Sequence, residues 1–334
     1  MTERLVSIDI ARAICIILVV IGHYIPDISP DWYVVMLDLI YAFHMPLFIF
    51  VSGYVYWATR KKHVTYKNFV WKKFQRLMIP YFFASVVIIV VKFLAEKELW
   101  VQNPVTYSSL YKMFYLPVAG YFLWFVFALF LIFLIIPFFN TRKLLFILLL
   151  LSLMLYFVPL SFPKVFCLAQ FKVNLLYFVF GCALVEWKIN CKFVNETNFL
   201  IALCAFAGAY MLKTHIDVFI IKEFARIFIA FVGIAFISNL SKYIELKVEF
   251  ANKLLVNVSV YSYTIYLFHT TFEGFAKAVI LKISNYNSES AFILTAFLVI
   301  SAGMISPIIM HKIIVRYSRL FSYLIGVKFQ EKHE

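Results

Sequence analysis

Charged residues are scarce in this sequence, and acidic ones are scarcer than basic ones. Charged side chains make up 14% of the 334 residues, whereas 64% are hydrophobic and 20% are aromatic. With a mean hydropathy of +0.91 and repeated long apolar runs, the chain does not resemble a soluble globular domain. Because these runs are continuous rather than alternating, they predict transmembrane helices and not strands of a barrel.

The cysteines lack the spacings that bind metal or form redox pairs. None belongs to a C-x-x-C pair or to a zinc-binding pattern, so the sequence predicts neither a disulfide nor a metal site. The first apolar stretch is too long for a signal peptide, and no small-residue cleavage site follows it. We therefore expect it to remain in the protein as a membrane span.

The net charge of +14 does not indicate nucleic-acid binding, because Lys and Arg are concentrated between the apolar runs. Basic residues in alternate connections orient a membrane protein, and here they place both termini in the cytoplasm. We predict an all-α polytopic membrane protein with about ten transmembrane helices. The predicted spans are roughly 6–25, 33–57, 77–95, 120–139, 143–159, 171–187, 198–213, 219–239, 255–277 and 290–312.

The chain divides into one membrane domain, residues 1–315, and a basic cytoplasmic tail, residues 316–334. No soluble domain is expected within this length. The tail mixes basic and aromatic residues, which is typical of a helix lying on the inner membrane surface. A partly ordered tail is an equal alternative.

The first two predicted spans carry ionisable residues at depths where they are expensive. Such a group costs about 2.5 kcal/mol or more at the bilayer centre, so it usually faces a partner or a water-filled cavity. Asp9 and Arg12 are three residues apart, and His23 follows Arg12 after three helical turns, so all three share one helix face. Asp38 and His44 lie in the second span.

These residues resemble a family signature. Arg12-x10-His23, followed by His44-Met-Pro-Leu-Phe and Ser52-Gly53, is similar to the pattern of acyltransferase family 3, the bacterial membrane acyltransferases. Two later stretches also resemble motifs of that family, and the similarity runs from about residue 5 to 315. These stretches are Gly120-Tyr-Phe-Leu-Trp124-Phe125 and Val260-Tyr-Ser-Tyr263-Thr-Ile-Tyr266-Leu-Phe-His269.

The resemblance implies that His23 is the catalytic base. Imidazole titrates near neutral pH and accepts a proton from a hydroxyl nucleophile. The alternative is a structural histidine bonded to a neighbouring carbonyl. Arg12 either forms a structural ion pair with Asp9 or, oriented by Asp9, binds an anionic part of the acyl donor.

A second basic motif, Lys73-x-x-Arg76, precedes the apolar stretch that contains Pro80-Tyr81. It resembles the family's Arg-x-x-Arg, which implies that Lys73 and Arg76 contact the phosphates of coenzyme A. Lysine in place of the first arginine keeps the charge but loses the bidentate geometry. The other basic residues of segment 60–76 have an alternative explanation. Cytoplasmic loops of membrane proteins are generally rich in Lys and Arg, and these residues also contact anionic lipid.

We expect the remaining candidate residues to bind the acceptor of the acyl group. A tryptophan at a span end is also typical of the aromatic belt, and the tyrosines and histidines also serve in helix packing. Arg226 lies in a predicted span without an evident partner and receives no role. The substrate-binding candidates are Asp38, His44, Trp124, Tyr263 and His269.

The resemblance therefore predicts a bacterial inner-membrane O-acetyltransferase that uses cytoplasmic acetyl-CoA. Its acceptor is expected to be a hydroxyl of a cell-surface or lipid-linked polysaccharide, reached directly or through a glycan-assembly partner protein. The alternative is a transporter or exporter component, which also places ionisable residues in the membrane. Transporters often contain internal repeats with broken helices at matching positions, and this sequence shows no such repeat.

The predicted topology places the connection around residues 26–32 outside the cell. With the native cysteines replaced, we expect the variant Ser29→Cys to react with an impermeant thiol reagent in intact cells. The variant Lys62→Cys should react only after lysis. The reverse labelling pattern would place the basic segment outside and remove the argument for an inner donor site.

Overall fold

The computed structural model describes residues 5–26, 29–60, 64–96, 101, 103–159, 162–189, 201, 204, 208, 210–211, 219–283 and 288–329. All regular secondary structure within these residues is helical, which confirms the predicted all-α class. The helices are α1 Val6–His23, α2 Asp31–Thr59, α3 Tyr66–Lys73, α4 Ile79–Ala95, α5 Ser109–Lys112, α6 Trp124–Ile135, α7 Arg142–Phe157, α8 Leu168–Glu186, α9 Phe219–Lys247, α10 Glu249–Ile283, α11 Glu289–Tyr317 and α12 Arg319–Leu324.

Seven helical stretches in this described part of the chain are long and apolar enough to cross a membrane. They correspond to seven of the ten predicted spans. They are Val6–His23, Asp31–Thr59, Tyr66–Ala95, Tyr121–Phe138, Val165–Glu186, Ile221–Lys247 and Glu289–Tyr317.

The other three predicted spans differ in their outcomes. The span at 143–159 corresponds to α7, which has only 16 residues. The span at 255–277 lies inside the 35-residue helix α10, where Ser, Thr, Tyr and His side chains interrupt the apolar sequence. The span at 198–213 falls mostly outside the described residues. The number ten and the cytoplasmic termini therefore stay predictions.

Many side chains on the outside of the helices are large and apolar. Leu294 and Phe297 of α11 are 60% and 67% exposed, and Phe146 of α7 is 50% exposed. Apolar surface this extensive is unusual on a soluble monomer but is accommodated by lipid. The exposed residues therefore support a membrane location as much as the length of the helices does.

The chain forms two compact units. The first comprises residues 1–61, 139–159 and 173–262, and the second comprises residues 62–138, 160–172 and 263–334. In the first unit, α1, α2 and α9 pack against one another. In the second unit, a π turn, Phe74–Met78, joins α3 to α4 and packs against α6. In this turn the Ile79 amide bonds to the Phe74 carbonyl five residues earlier, so one extra residue is inserted into the helix.

Glycines bring α2 and α8 of the first unit into backbone contact. A Cβ on Gly53 would overlap the Phe178 carbonyl, and a Cβ on Gly181 would overlap the Phe50 carbonyl and lie 2.8 Å from the Tyr54 nitrogen. Small residues at a crossing are what allow membrane helices to approach this closely. This contact aligns the helix that carries Asp38 and His44.

Substituting a crossing glycine should destabilise the protein. Gly181→Ala adds a methyl group against backbone atoms that cannot rotate away, and overpacking of this kind costs about 1–3 kcal/mol. Gly274→Ala is the matched control, because nothing lies within 4 Å of the position of its Cβ. Thermal unfolding in detergent should show a lower midpoint for Gly181→Ala alone. Equal midpoints would mean that the helices separate at little cost.

Candidate active site

Tyrosines of α2 cap the end of α1 that carries His23. The last carbonyls of a helix have no partner within it, and inside an apolar region they need one. The Tyr33 hydroxyl donates to the Tyr24 carbonyl at 2.8 Å and to the Ile21 carbonyl at 3.3 Å. The Tyr41 hydroxyl donates to the Gly22 carbonyl. The backbone on both sides of His23 is thereby tied to the second helix.

The imidazole of His23 has a defined orientation. Its Nδ1 lies 2.7 Å from the carbonyl oxygen of Val19, one turn earlier. Because a carbonyl only accepts, Nδ1 carries the proton of the neutral ring and Nε2 carries the basic lone pair. The bond is one that a purely structural histidine also makes, so the catalytic role stays a prediction. The tautomer is the one that a general base requires.

His44 lies close to His23 in the same unit. Its side chain is only 2% exposed, its Nδ1 donates to the Ile40 carbonyl at 2.8 Å, and the two histidines interact electrostatically. The Cys15 thiol of α1 donates to the His44 carbonyl at 3.1 Å, which joins the two helices again. His23 and His44 were separate candidates in the sequence analysis, and the fold places them in the same unit.

Asp9 and Arg12 form the expected ion pair toward the start of α1. Their side chains meet at 3.1 Å and are 18% and 29% exposed, so both remain accessible to a ligand. Arg12 and His23 share a face, but eleven residues of helix separate them by roughly 16 Å along the axis. Arg12 therefore cannot touch an atom that is bonded to His23. Its role in donor binding stays a prediction.

Asp38 also has a partner that sequence reasoning missed. The Tyr210 hydroxyl donates to the Asp38 carboxylate at 2.8 Å. The two residues are far apart in the chain, and nothing in their spacing signals the contact. A carboxylate oriented in this way is able to accept a further hydrogen bond from a hydroxyl, which is compatible with the predicted acceptor role.

One cation of the basic segment is used within the first unit. The Arg60 guanidinium stacks over Trp57 at 3.3 Å and lies 3.4 Å from a carboxylate oxygen of Glu186. The same oxygen accepts a 2.8 Å hydrogen bond from the Trp57 indole. Glu186, which received no role from the sequence, thus anchors Arg60 beside the ends of α2 and α8.

In the second unit, Lys73 and Arg76 have different surroundings. The Lys73 ammonium is half-buried and lies over the Phe133 ring at 3.6 Å, a cation–π arrangement. Arg76 is exposed and lies in the middle of the π turn. Distortions of this type are frequent at functional sites. Between Lys73 and Arg76, Arg76 is therefore the more accessible to an anionic group of the acyl donor.

Two motifs of the second unit meet directly. The Tyr266 hydroxyl donates to the Phe122 carbonyl, and the Tyr266 ring lies edge-on to Phe125 at 5.2 Å. The His269 ring lies 5.1 Å from the Phe122 ring, and its Nδ1 bonds to the Tyr266 carbonyl at 2.9 Å. Trp124 is half-buried within the same stretch. The Tyr–His part of α10, residues 263–269, which we call the late Tyr–His helix, therefore packs on the start of α6.

The second unit also connects this late helix to the π turn. The Tyr263 hydroxyl donates to the Leu77 carbonyl at 3.3 Å. The inserted residue of a π turn disturbs the regular bonding of the helix, so a side chain that bonds to a carbonyl there helps to hold the turn. The structure thus bonds Tyr263 to the residue that follows the Lys73-x-x-Arg76 motif, whereas we had predicted that Tyr263 binds the acyl acceptor.

The second unit contains a buried acid and a buried polar pair that the sequence analysis did not single out. Glu273 is 4% exposed and lies so close to α11 that a Cβ on Gly303 would be 2.7 Å from its carboxyl oxygen. The Thr264 hydroxyl and His311 Nδ1 are 2.7 Å apart and join the same two helices. Glu273 is an acid inside a predicted span, a signal that was visible in the sequence.

Arg226 requires a correction. It is paired with Glu223, one turn earlier on α9, and its side chain is 49% exposed, so it is neither buried nor without a partner. The i, i+3 spacing of the two residues was visible in the sequence. Within the described residues, no three His, Cys, Asp or Glu side chains lie close enough to hold a metal ion.

The candidates thus fall into two groups. The first unit contains Asp9, Arg12, His23, Asp38 and His44, and the second contains Lys73, Arg76, Trp124, Tyr263 and His269.

Comparison with known proteins gives the family. Residues 5–312 match the family model described as an acyltransferase domain, that of acyltransferase family 3. Comparisons with curated proteins and with solved structures gave no significant match. Because the family match covers nearly the whole chain and the helices are long and apolar, this protein belongs to acyltransferase family 3 and is a membrane acyltransferase.

Proposed function

We propose that this protein is an O-acetyltransferase of a bacterial inner membrane. It takes an acetyl group from cytoplasmic acetyl-CoA and transfers it to a hydroxyl of a cell-surface or lipid-linked polysaccharide. Family membership supports acyl transfer in general. The observation that supports transfer to a hydroxyl is the orientation of His23, whose Nδ1 bond to Val19 leaves Nε2 as the basic nitrogen of the neutral ring.

The proposed reaction uses His23 as a proton shuttle. Nε2 takes the proton from the acceptor hydroxyl while its oxygen attacks the thioester carbonyl. The tetrahedral intermediate then collapses, the carbon–sulfur bond breaks, and the CoA thiolate takes the proton from His23. Atoms and charge balance without a metal or a further reactant. His44 is buried in the same unit and interacts electrostatically with His23.

The acyl donor is proposed to bind through three cationic side chains. Arg76, exposed on the π turn, contacts a phosphate group in a charge-assisted hydrogen bond. Lys73 adds positive potential from its place over Phe133. Arg12, oriented by Asp9, serves a second anionic group of the donor. The long pantetheine arm of coenzyme A separates its phosphates from the thioester, so the separation of Arg12 from His23 by roughly 16 Å along α1 is compatible with a role in donor binding.

The acceptor is proposed to contact the polar and aromatic residues of the outer side. Asp38 accepts hydrogen bonds from sugar hydroxyls, Trp124 stacks on a sugar face, and His269 lies beside the same helix start as Trp124. The product is used directly or passed to a glycan-assembly partner protein. Membership of an acyltransferase family favours this enzyme over the transporter alternative.

Removing the proposed phosphate contact should weaken donor binding. Arg76→Ala is expected to raise the dissociation constant of acetyl-CoA roughly tenfold, the loss typical of one charge-assisted hydrogen bond. The control Lys72→Ala removes an exposed cation four residues earlier and should change it less than about twofold. Equilibrium binding to protein in lipid nanodiscs at two salt concentrations measures both. If both variants lost the same affinity for acetyl-CoA, the motif would contribute only positive charge and no specific phosphate contact.

Removing the proposed base should abolish acetylation without abolishing binding. His23→Gln keeps a hydrogen-bond donor for Val19 but cannot carry the transferred proton, so the rate should fall roughly 10²- to 10⁴-fold. The measurement is the mass of surface glycans in a deletion strain complemented with each variant. Acetyl-CoA binding should persist, and His44→Gln should be milder. Near-normal acetylation by His23→Gln would assign the base to another group.

A further inference from the structure

The chain after α11 folds back onto the turn that carries Arg76. We call residues 318–327 the C-terminal segment; they follow the residues matched by the family model, which end at 312. The Tyr323 hydroxyl lies 3.3 Å from the Gln75 amide nitrogen of the π turn. The Phe321 ring lies 6.0 Å from the Phe83 ring of α4. Ile325 is fully buried, so the segment is packed rather than merely adjacent.

The short helix in this segment is capped at both ends. At its start, the Ser318 hydroxyl accepts a bond from the Phe321 amide at 3.2 Å. At its end, the Gly326 amide bonds to the Tyr323 carbonyl and the Val327 amide to the Ser322 carbonyl. These two bonds form a Schellman motif with glycine at the left-handed position, where φ is +75°. The segment therefore has a specific conformation despite its length.

Gly326 also lies close to the π turn that carries Arg76. A Cβ at this position would lie 2.8 Å from the Pro80 ring, 3.2 Å from the Arg76 carbonyl oxygen and 3.3 Å from the Tyr263 ring. Tyr263 in turn donates to the Leu77 carbonyl. The backbone around Arg76 is thus enclosed by the C-terminal segment on one side and by the late Tyr–His helix on another.

The direction of Arg76 depends on this enclosure. A π turn contains one residue more than the α-helical turn that replaces it, and each residue of an α-helix rotates the chain by about 100°. If the turn relaxed to α-helix, the residues before it would rotate by about that angle relative to α4. The contacts that hold the turn therefore decide where the guanidinium points.

We propose that the C-terminal segment supports the donor-binding site, in that Gly326 and Phe321 act as positioning residues for Arg76. The proposal rests on the proposed function, in which Arg76 contacts a donor phosphate. The segment does not itself touch the donor in this scheme. It holds the π turn in the shape that presents the guanidinium, so its loss weakens donor affinity even when the protein stays folded.

The test is saturation binding of radiolabelled acetyl-CoA to the full-length protein in lipid nanodiscs. Gly326→Ala places a methyl group against Pro80 and disfavours the left-handed backbone, so the dissociation constant should rise roughly tenfold, as for loss of the Arg76 contact itself. The number of binding sites per protein should be unchanged. A role in folding alone would instead lower the number of sites and leave the dissociation constant unaltered.

A second variant and a matched control complete the design. Phe321→Ala removes the ring contact to Phe83 at a half-exposed position and should raise the dissociation constant roughly threefold without loss of protein, as expected for a contact of about 0.5–1 kcal/mol. Gly274→Ala adds a methyl group to open space in the same unit and should leave the constant unchanged. If Gly326→Ala does not accumulate, Phe321→Ala decides the outcome alone.

The possible failures are distinguishable. An unchanged dissociation constant in Gly326→Ala and Phe321→Ala, with weaker binding by Arg76→Ala, overturns the positioning role and leaves the donor site intact. Unchanged binding by Arg76→Ala overturns the donor assignment and this inference with it. Absence of acetyl-CoA binding by the wild-type protein overturns the proposed donor.

Discussion

Backbone carbonyls that lack a helical partner must find one within the protein, because the apolar interior offers no water. At the end of α1 this need is met by Tyr33 and Tyr41 of α2, whose hydroxyls bond to the carbonyls on both sides of His23. The same contacts fix the position of the proposed base. A requirement of backbone chemistry thus also restricts where the imidazole lies.

The π turn follows the same logic in the second unit. Its extra residue disturbs the bonding of the helix, and Tyr263 bonds to one of the carbonyls concerned. Gly326 encloses the turn further, because it lies so close to Pro80 and the Arg76 carbonyl that a Cβ there would crowd both. Both candidate regions therefore use a tyrosine hydroxyl on a neighbouring helix to hold a helix distortion or a helix end. Orientation of a charged or basic side chain follows from that support.

Sequence reasoning predicted the helical class, which the structure contains, but it identified few of the partners of the candidate residues. The pairing of Asp9 with Arg12 follows from a three-residue spacing, and the structure contains it. Arg226 was judged to lack a partner although Glu223 has the same spacing, so the same rule was available and was not applied. The predicted span at 255–277 is not among the seven apolar stretches, because the polar side chains of α10 lower its mean hydropathy.

Contacts between distant parts of the chain could not be predicted from the sequence. The bond of Tyr210 to Asp38, the anchoring of Arg60 by Glu186 and the enclosure of Arg76 by Gly326 join residues whose separation carries no periodic signal. Composition, helix periodicity and motif order are local or additive properties, so the sequence by itself determined the membrane class and the family. Which polar groups meet depends on how helices cross, and only the tertiary structure decided that, because crossing is set by packing at small residues such as Gly53 and Gly181.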